Sequence, residues 1–215
     1  TVVREGRAML RSGLSPEAYL ERSLTGKKRK ELRRQEKRLA ELGELSVERS
    51  TDDNDVTAWV EEFLALERSG WKGEAGSALD CHIATRTLSL EALEGAARRG
   101  RLERLAVRLD GRPIAMLATF LCRPGAFSYK TAFDERYARF SPGVLLQREN
   151  LAMLAREDIA WTDSCAAAGH PMIDHIWRER RAIACVNLAL GGAARQLLFR
   201  ALAARETRSD TKESV

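Results

Sequence analysis

A turn near residue 140 carries side chains and backbone groups that could bind phosphate. It reads Arg139-Phe140-Ser141-Pro142-Gly143, and an amphipathic segment follows it. Ser141 and Pro142 predict the cap and the first turn of a helix that continues over about residues 144–156. A helix start offers unpaired N–H groups at the positive end of the helix dipole, and Arg139 and Ser141 add a guanidinium and a hydroxyl. The turn therefore suits a pyrophosphate, although many similar helix starts bind nothing.

The cysteines suggest neither a metal site nor a disulfide. Cys81, Cys122, Cys165 and Cys185 are scattered, without a C-x-x-C pair and without a histidine at ligand spacing. We therefore predict no metal site and expect reduced, intracellular thiols. A covalent acyl-enzyme on Cys165 is the less favoured interpretation, because no His and Asp arrangement is visible beside it and free cysteines are often simply buried.

A strongly basic segment lies near the start of the chain. Lys27–Arg38 reads KKRKELRRQEKR, with eight basic and two acidic residues. Leu32, Leu39 and Leu42 give it a narrow apolar seam at helical spacing. We interpret it as a solvated helix that packs through this seam. A surface for RNA, DNA or anionic lipid is the alternative, less favoured because no aromatic residue interleaves the charges and no nucleic-acid motif follows.

The elements before the phosphate-binding turn are predicted as three consecutive antiparallel strands. Leu102–Leu109 has strand length, Asp110-Gly111 is a hairpin signal, and Pro113–Cys122 is almost wholly apolar. After Arg123-Pro124-Gly125, alternating residues predict a third strand over residues 126–133. Other expected elements are helices over residues 56–66, 88–99, 172–181 and 193–205 and strands over residues 159–164 and 182–190, followed by a disordered polar tail.

Length and composition fit an ordinary domain with an appendage. The chain has 215 residues, of which 44% are hydrophobic and 31% charged, with a net charge of +5, so neither a disordered nor a fibrous chain is a good interpretation. No apolar run approaches the length of a membrane helix, and the N-terminus carries no secretion signal. We expect a soluble, cytoplasmic protein. Because residue 1 is Thr, we interpret the chain as the C-terminal portion of something longer.

The order of three strands, helix and further strand resembles the GNAT acyltransferase superfamily. The resemblance is carried by Phe140–Leu146, which read Phe-Ser-Pro-Gly-Val-Leu-Leu, by the helix after them, and by Asp163-Ser164-Cys165. Within the superfamily the chain is most similar to the CelD-type acetyltransferases associated with cellulose biosynthesis, whose fold the Fem peptidyltransferases share. The similarity covers about residues 25–190 and includes the segments 69–73, 129–134 and 170–181.

The resemblance implies a fold and a division of the chain. The implied fold is an α/β (α+β) arrangement with a mixed, mainly antiparallel sheet flanked by helices. Residues 1–50 would form a basic helical extension, residues 51–192 the acyltransferase domain, and residues 193–215 a C-terminal helix and tail. A helix like the basic one commonly follows another acyltransferase-like half in this family, so a preceding half-domain of the same protein is an expected partner.

The resemblance also implies acetyl-CoA, or another acyl-CoA, as the co-substrate. Its pyrophosphate would lie on the backbone N–H groups of Gly143, Val144 and Leu145, with Arg139 and Ser141 beside it. The superfamily's fuller loop, with a basic or Gln residue and two spaced glycines, is reduced here to one glycine. This difference leaves room for another activated acyl donor.

The activity implied is direct transfer of an acetyl group to an amine or hydroxyl acceptor. A saccharide of exopolysaccharide or cell-envelope metabolism would be one such acceptor. The transfer needs a group that takes up a proton, and Asp163 or His170 would do so, a structural hydrogen bond being the alternative for each. The acceptor pocket would include Trp71, Lys72, Tyr129 and Lys130.

Two other functions stay open. The first is a Fem-type aminoacyl-tRNA-dependent transferase, in which the helix over Lys27–Arg38 would meet a tRNA; nucleic acid is expected as a partner only in that case. The second is a catalytically degenerate GNAT-like scaffold or binding module, which the single glycine of the loop keeps open.

Overall fold

Among residues 3–210, which the computed structural model describes, seven strands form one sheet with helices on both faces. The strands are β1 (Val3–Leu10), β2 (Leu45–Ser50), β3 (Leu102–Leu109), β4 (Arg112–Cys122), β5 (Gly125–Phe133), β6 (Trp161–Asp163) and β7 (Glu179–Cys185). The helices are α1 (Pro16–Ser23), α2 (Gly26–Ala40), α3 (Val56–Arg68), α4 (Trp71–Glu74), α5 (Ile83–Ala97), α6 (Pro142–Asn150) and α7 (Ala193–Asp210), and short 3₁₀ turns cover Leu79–Cys81, Glu135–Phe140 and Leu151–Ala155.

The sheet has the order β2-β3-β4-β5-β6-β1-β7. All neighbouring strands are antiparallel except β5 and β6, which run parallel. This arrangement confirms the predicted α/β fold with a mixed, mainly antiparallel sheet. Parallel strands need a crossover connection, and the crossover between β5 and β6 contains α6, the helix that follows the predicted phosphate-binding turn.

The hairpin that joins β3 and β4 has the predicted turn. Asp110 and Gly111 both have positive φ, 49° and 75°, as a two-residue turn of the type that matches the twist of the strands requires. The third predicted strand is β5, which pairs with β4 along its length. The local turn signals were therefore sufficient to define β3, β4 and β5.

Helices cover both faces of these central strands. On one face, α3 and α5 pack Phe63 and Leu93 against Leu102 and Met116 of the sheet. On the other face, α2 and α6 contribute apolar side chains to a cluster that includes Leu105 of β3. Successive residues of β3 point alternately to the two clusters, so the strand is buried on both faces.

The first fifty residues contribute strands as well as helices. The basic segment lies in α2 as predicted, and Leu32 and Leu39 of its seam are buried. However, β1 lies between β6 and β7, and β2 pairs with β3 at the edge of the sheet. The segment expected as a basic helical extension is thus also part of the sheet.

The predicted helix over residues 172–181 is wrong. Residues 170–177 form hydrogen-bonded turns, in which the carbonyl of His170 accepts from Ile173 and the carbonyl of Ile173 accepts from Trp177. These turns bury Ile173, Ile176 and Trp177, and so reproduce the apolar spacing of a helix. The chain then extends into β7, which begins at Glu179 because β1 offers it a partner. Long-range pairing outweighs the local helical pattern here.

Other predicted boundaries also change. The helix expected over residues 88–99 is α5, which runs over Ile83–Ala97, and the strand expected over residues 182–190 is β7, which ends at Cys185. The helix expected to reach residue 156 ends at Asn150, where a 3₁₀ turn over Leu151–Ala155 continues it. The C-terminal helix α7 extends to Asp210, beyond the predicted end at residue 205. The end of the predicted disordered tail, residues 211–215, lies outside the described residues.

Candidate active site

A cleft opens where the parallel strands β5 and β6 part. The two strands pair only at Gly125–Trp161, Ala126–Thr162 and Phe127–Asp163, after which β6 ends and β5 continues to Phe133. The cleft has a volume of about 200 Å³. It is lined by Trp71, Lys72, Ser128, Tyr129, Lys130, Thr131, Phe133, Ser164, Cys165, Ala166, His170, Met172 and Ile173. The structure thus brings together all four predicted acceptor residues and His170.

A β-bulge shapes the wall of the cleft on β5. Ser128 pairs with Thr119 and Lys130 pairs with Ala118, so Tyr129 is an extra residue between them. The extra residue of a bulge stays outside the hydrogen-bonded ladder. The side chain of Tyr129 packs on Phe120, with ring centroids 5.3 Å apart. Nothing in the sequence pattern of this strand indicated the bulge.

A buried carboxylate holds the two lysines of the cleft. One oxygen of Glu67 accepts from the ammonium of Lys72 at 2.9 Å and from that of Lys130 at 3.1 Å. Its other oxygen accepts from the backbone N–H of Leu79 at 2.9 Å. Burial raises the pKa of the Glu67 carboxyl, but the N–H of Leu79 and the charge of Lys72 outweigh burial and lower that pKa below its ordinary value. Glu67 is therefore an anion that fixes both lysines.

Sequence analysis missed Glu67, although one signal was present. Glu67 follows Phe63 by four residues and Leu64 by three, so it lies on the apolar face of α3. The side chain of Glu67 is 0% exposed. An acidic residue on the buried face of a helix needs a cationic or hydrogen-bonding partner, and Lys72, only five residues away, is one such partner.

His170 contributes the titratable group of the cleft. Burial lowers the pKa of its imidazole, and the nearby charge of Lys72 acts in the same direction, while Asp174 opposes them. Its Nδ1 atom is buried and has no hydrogen-bond partner in the part of the chain that the structure describes. A neutral imidazole near pH 7 with an unused ring nitrogen is suited to accept a proton.

Asp163 lies behind the cleft and does not line it. Its side chain is 2% exposed, and its two oxygens lie 3.8 Å from Arg7 of β1 and 3.6 Å from Arg181 of β7. One oxygen also accepts from the backbone N–H of Cys165 at 2.8 Å. The structure therefore separates the two predicted proton acceptors: His170 faces the cleft, and Asp163 ties the strand end to its neighbours.

Cys165 lines the cleft as a protonated thiol. Burial raises its pKa to about 11, with the charge of Asp163 acting in the same direction and that of Arg7 against it. The thiolate is the nucleophilic form of cysteine. At neutral pH this thiol is therefore a weak nucleophile, which agrees with the preference for direct transfer over a covalent intermediate.

The phosphate-binding turn differs in detail from the prediction. Ser141 adopts a left-handed conformation, with φ 55°, and makes no side-chain cap, so its expected role as capping side chain is wrong. Its backbone instead closes the preceding 3₁₀ turn and accepts from the N–H groups of Val144 at 2.9 Å and Leu145 at 3.1 Å. Of the three N–H groups expected to bind pyrophosphate, that of Gly143 has no partner among the described residues.

Gly143 connects the turn to the cleft. It is buried, and a Cβ added at this position would overlap the sulfur of Met172 and lie 3.5 Å from the ring of Phe133. Met172 and Phe133 both line the cleft. A side chain at residue 143 would therefore have to displace Met172 where the turn meets the cleft.

A basic groove continues from the other side of the turn. Arg139 is exposed and stacks over Phe140, with its guanidinium carbon 4.6 Å from the ring centroid. With Arg34 and Arg38 of α2 it lines a groove of about 360 Å³, which also contains Glu31 and Glu41, and Arg34 pairs with Glu31 at 2.7 Å. The amide of Gln35 donates to the carbonyl of Arg139 at 3.3 Å and so links α2 to the turn. These guanidinium groups suit the phosphates of a nucleotide.

Two buried polar side chains of α6 lack hydrogen-bond partners for some of their atoms within the described part of the chain. Gln147 is 0% exposed, and neither atom of its amide has a hydrogen-bond partner among the described residues. Asn150 donates to the hydroxyl of Ser128, which lines the cleft, at 3.3 Å, but its own oxygen is unpartnered in the same sense. Buried polar groups without partners are uncommon. Gln147 and Asn150 line neither the cleft nor the groove, so the Gly143 turn and Arg139 are the groups placed to meet the phosphates of an acyl-CoA.

Two further observations concern the described part of the chain as a whole. In residues 3–210, no group of three or more His, Cys, Asp or Glu side chains is arranged to hold a metal ion. In the same part of the chain, no helix is both long and apolar enough to cross a membrane.

Comparison with known proteins identifies a family for most of the chain. Residues 26–170 match the family model described as "Acetyltransferase (GNAT) domain". No curated protein matches the chain. Among solved structures, FemX is similar with a TM-score of 0.54 and 11% identity, over 82% of this chain and 59% of FemX. The aminoglycoside acetyltransferase meta-AAC0020 from an uncultured soil metagenomic sample, in complex with sisomicin, matches with a TM-score of 0.39 and 14% identity, over 54% of this chain and 72% of that one.

Proposed function

Because the chain belongs to the GNAT acetyltransferase domain family, we propose that it transfers an acetyl group from acetyl-CoA to an amine or hydroxyl acceptor in the cleft between β5 and β6. The parting of these strands carries the proposal. It leaves a cleft that is open to small molecules and whose lining residues Phe133 and Met172 adjoin the Gly143 turn. A donor held by its phosphates at the turn can therefore extend its acyl end into the cleft.

The phosphates of the donor would bind at the start of α6. Gly143 offers its N–H, Arg139 its guanidinium, and Ser141, Val144 and Leu145 complete the turn. Because the N–H groups of Val144 and Leu145 also contact the carbonyl of Ser141, we expect them to contribute less than Gly143. When bound, the donor supplies a thioester, whose carbonyl carbon is the electrophile.

His170 is our candidate for the proton acceptor. The nitrogen or oxygen of the acceptor forms a bond to the acyl carbon, the carbon–sulfur bond breaks, and the sulfur leaves with the electron pair as a thiolate. The acceptor's proton passes to the imidazole of His170 and from there to the thiolate or to solvent. The backbone N–H of Tyr129, outside the strand ladder, is the candidate to polarise the thioester carbonyl. Asp163 would act indirectly, by holding the backbone of Cys165.

The acceptor class follows from the resemblance to CelD-type enzymes. We propose a saccharide of exopolysaccharide or cell-envelope metabolism, with Trp71, Lys72, Tyr129 and Lys130 as its contacts. The side chain of Trp71 is 58% exposed at the cleft, and an exposed aromatic face of this kind suits a sugar ring.

A transfer assay tests this function. The chain is mixed with acetyl-CoA and a panel of amines and saccharides, and the release of the free thiol is followed. We expect acceptor-dependent thiol release that falls about 100-fold or more in His170→Ala. The control His175→Ala removes an exposed histidine five residues away and should keep the rate. Equal rates in the two variants would show that His170 does not act in the mechanism. If no compound in the panel stimulated thiol release, the proposed acceptor classes would be contradicted.

A further inference from the structure

The two lysines among the proposed acceptor contacts form a cationic site, and the proton and acyl transfers themselves give this charge no role. Lys72 starts from α4 and Lys130 from β5, and both ammonium groups contact the same oxygen of Glu67. They are therefore close enough for one anionic group to contact both. Their side chains are 24% and 26% exposed, so each is anchored by its end yet open to the cleft.

The hydrogen bonds of the pair leave donors free for a ligand. An ammonium group has three N–H donors. Lys72 uses two of them, on Glu67 and on the carbonyl of Thr131 at 3.1 Å, and Lys130 uses one on Glu67. Donors that remain at a partly desolvated site are best satisfied by a charged acceptor group, because charge-assisted hydrogen bonds are the stronger ones.

The charges around the pair do not balance. One carboxylate compensates two ammonium groups, which leaves an excess of one positive charge. Among the described residues that line the cleft, none is acidic. Glu135 shares a small adjoining pocket of about 20 Å³ with Lys72 and accepts from the backbone N–H of Trp71 at 2.9 Å, but among the described residues it forms no ion pair with either lysine. Asp174 is close enough to His170 to affect its charge, yet it lies outside the lining.

We infer that the lysine pair Lys72 and Lys130, held by Glu67, binds an anionic group of the acceptor, either a carboxylate or a phosphate. The assignment of this anion to the acceptor rests on the proposed function. The anion site itself rests only on the geometry of the two lysines and Glu67. The consequence is a preference for acidic acceptors, such as an amino acid, an acidic sugar or a sugar phosphate. A polycation would be repelled from the same cleft by the uncompensated charge.

The inference also assigns a role to Glu67, which is to hold the two lysines in place. Without a carboxylate between them, the two ammonium groups would repel one another and turn into solvent, so their positions would not be defined. With Glu67 fully buried between them, the pair is preorganised before the ligand arrives, which reduces the entropy lost on binding. Glu67 is thus a positioning residue for the anion site.

NMR titration of the ¹⁵N-labelled chain with succinate, inorganic phosphate and glycerol tests the anion site. At constant ionic strength and pH 7, we expect one or both anions to shift the indole signal of Trp71 and the amide signals of residues 129–131 saturably. Glycerol should not shift them. The stronger of the two anions identifies carboxylate or phosphate as the natural group. Absence of saturable shifts with both anions, or a phosphate response confined to Gly143, would overturn the inference.

Matched variants assign the binding to the pair. Lys130→Gln should weaken anion binding about tenfold, the value of one lost charged hydrogen bond, and Lys130→Arg should restore most of it. Arg112→Gln removes the same charge from the exposed turn between β3 and β4 and should change nothing. Equal weakening by Lys130→Gln and Arg112→Gln would show a general charge effect and overturn the inference.

Titration of the same samples with acetyl-CoA separates the two proposals. Anion binding without acetyl-CoA binding would leave the lysine site in place and contradict the proposed function. Acetyl-CoA binding without anion binding would support the proposed function and contradict the lysine site. If Lys130→Gln disturbs the packing around Glu67, Lys130→Arg serves as the folded variant for comparison, because it keeps the positive charge.

Discussion

At the scale of single residues, burial and two charged neighbours control the protonation of His170. Burial and the charge of Lys72 lower the pKa of the imidazole, and Asp174 acts in the opposite direction. The imidazole is neutral, and able to take a proton, only above that lowered pKa. The proposed base is therefore active over the whole neutral range, and its pH dependence reports the charges next to it.

The pH profile of acetyl transfer should follow these charges. We expect kcat/KM to fall as the pH drops through the lowered pKa of His170, at an inflection below the ordinary value of 6.5. Lys72→Met should move the inflection to higher pH, because it removes a positive charge that disfavours protonation. Asp174→Asn should move it to lower pH. Inflections that coincide in all three proteins would show that another group takes the proton.

At the scale of elements, a partly exposed ion pair joins the basic helix to the helix that bears the turn. Arg148 of α6 donates to the two oxygens of Glu36 of α2 at 2.7 and 2.5 Å. The hydrogen bond from Arg148 lowers the pKa of Glu36, although burial opposes it. The face of α2 that carries Glu36 is thus tied to α6, while most of its lysines and arginines stay exposed.

Breaking this pair should loosen α2 from the domain. Glu36→Gln should lower the free energy of unfolding by about 1 kcal/mol, since Arg148 loses a charged partner at a partly exposed site. Glu31→Gln, which breaks an exposed pair with Arg34 on the same helix, should change it by less than about 0.5 kcal/mol. Urea unfolding measures both values.

The pH dependence gives this prediction a sign. The folded pKa of Glu36 is lowered, so its contribution is present above the carboxyl's ordinary pKa and is lost as the pH falls through the lowered one. The difference between Glu36→Gln and the wild type should therefore shrink as the pH falls below about 4. A difference that persists undiminished at acid pH would mean that the Gln side chain disturbs packing instead.

At the scale of the whole molecule, one sheet gathers residues from distant parts of the sequence. The wall on β5, the loop after β6 and the start of α4 all meet in the cleft. β1 lies beside β6, so the N-terminal segment supports the strand that carries Asp163. The candidate site therefore depends on elements outside the 26–170 region that matches the family.

Local signals predicted the central part of this sheet, and long-range contacts determined the rest. The Asp110-Gly111 turn and the alternation in β5 define their strands through neighbours in sequence, which a pattern can show. β1 is a strand because it pairs with β6 and β7, whose residues lie more than 150 positions away, and no local pattern records such partners. The apolar pattern predicted a strand over residues 182–190, and pairing with β1 places that strand at Glu179–Cys185 instead.

The site divides in the same way. Trp71, Lys72, Tyr129, Lys130 and His170 were predicted and line one cleft. The resemblance to a known family chose them, since residue type alone did not. The role of Glu67 depends on two lysines from different elements, and the conformation of Ser141 depends on the 3₁₀ turn before it.

Calorimetric titration with acetyl-CoA tests the central claim most directly, with desulfo-CoA as a control that keeps the pyrophosphate. We predict saturable binding of both ligands by the intact chain, weakened at least about tenfold in Gly143→Val, where the new side chain meets Met172 and covers the turn. Gly13→Val, at an exposed glycine with nothing within 4 Å of its Cβ position, should bind like the wild type. No binding by the intact chain, or full binding by folded Gly143→Val, would contradict the account and favour a tRNA-linked donor or a scaffold.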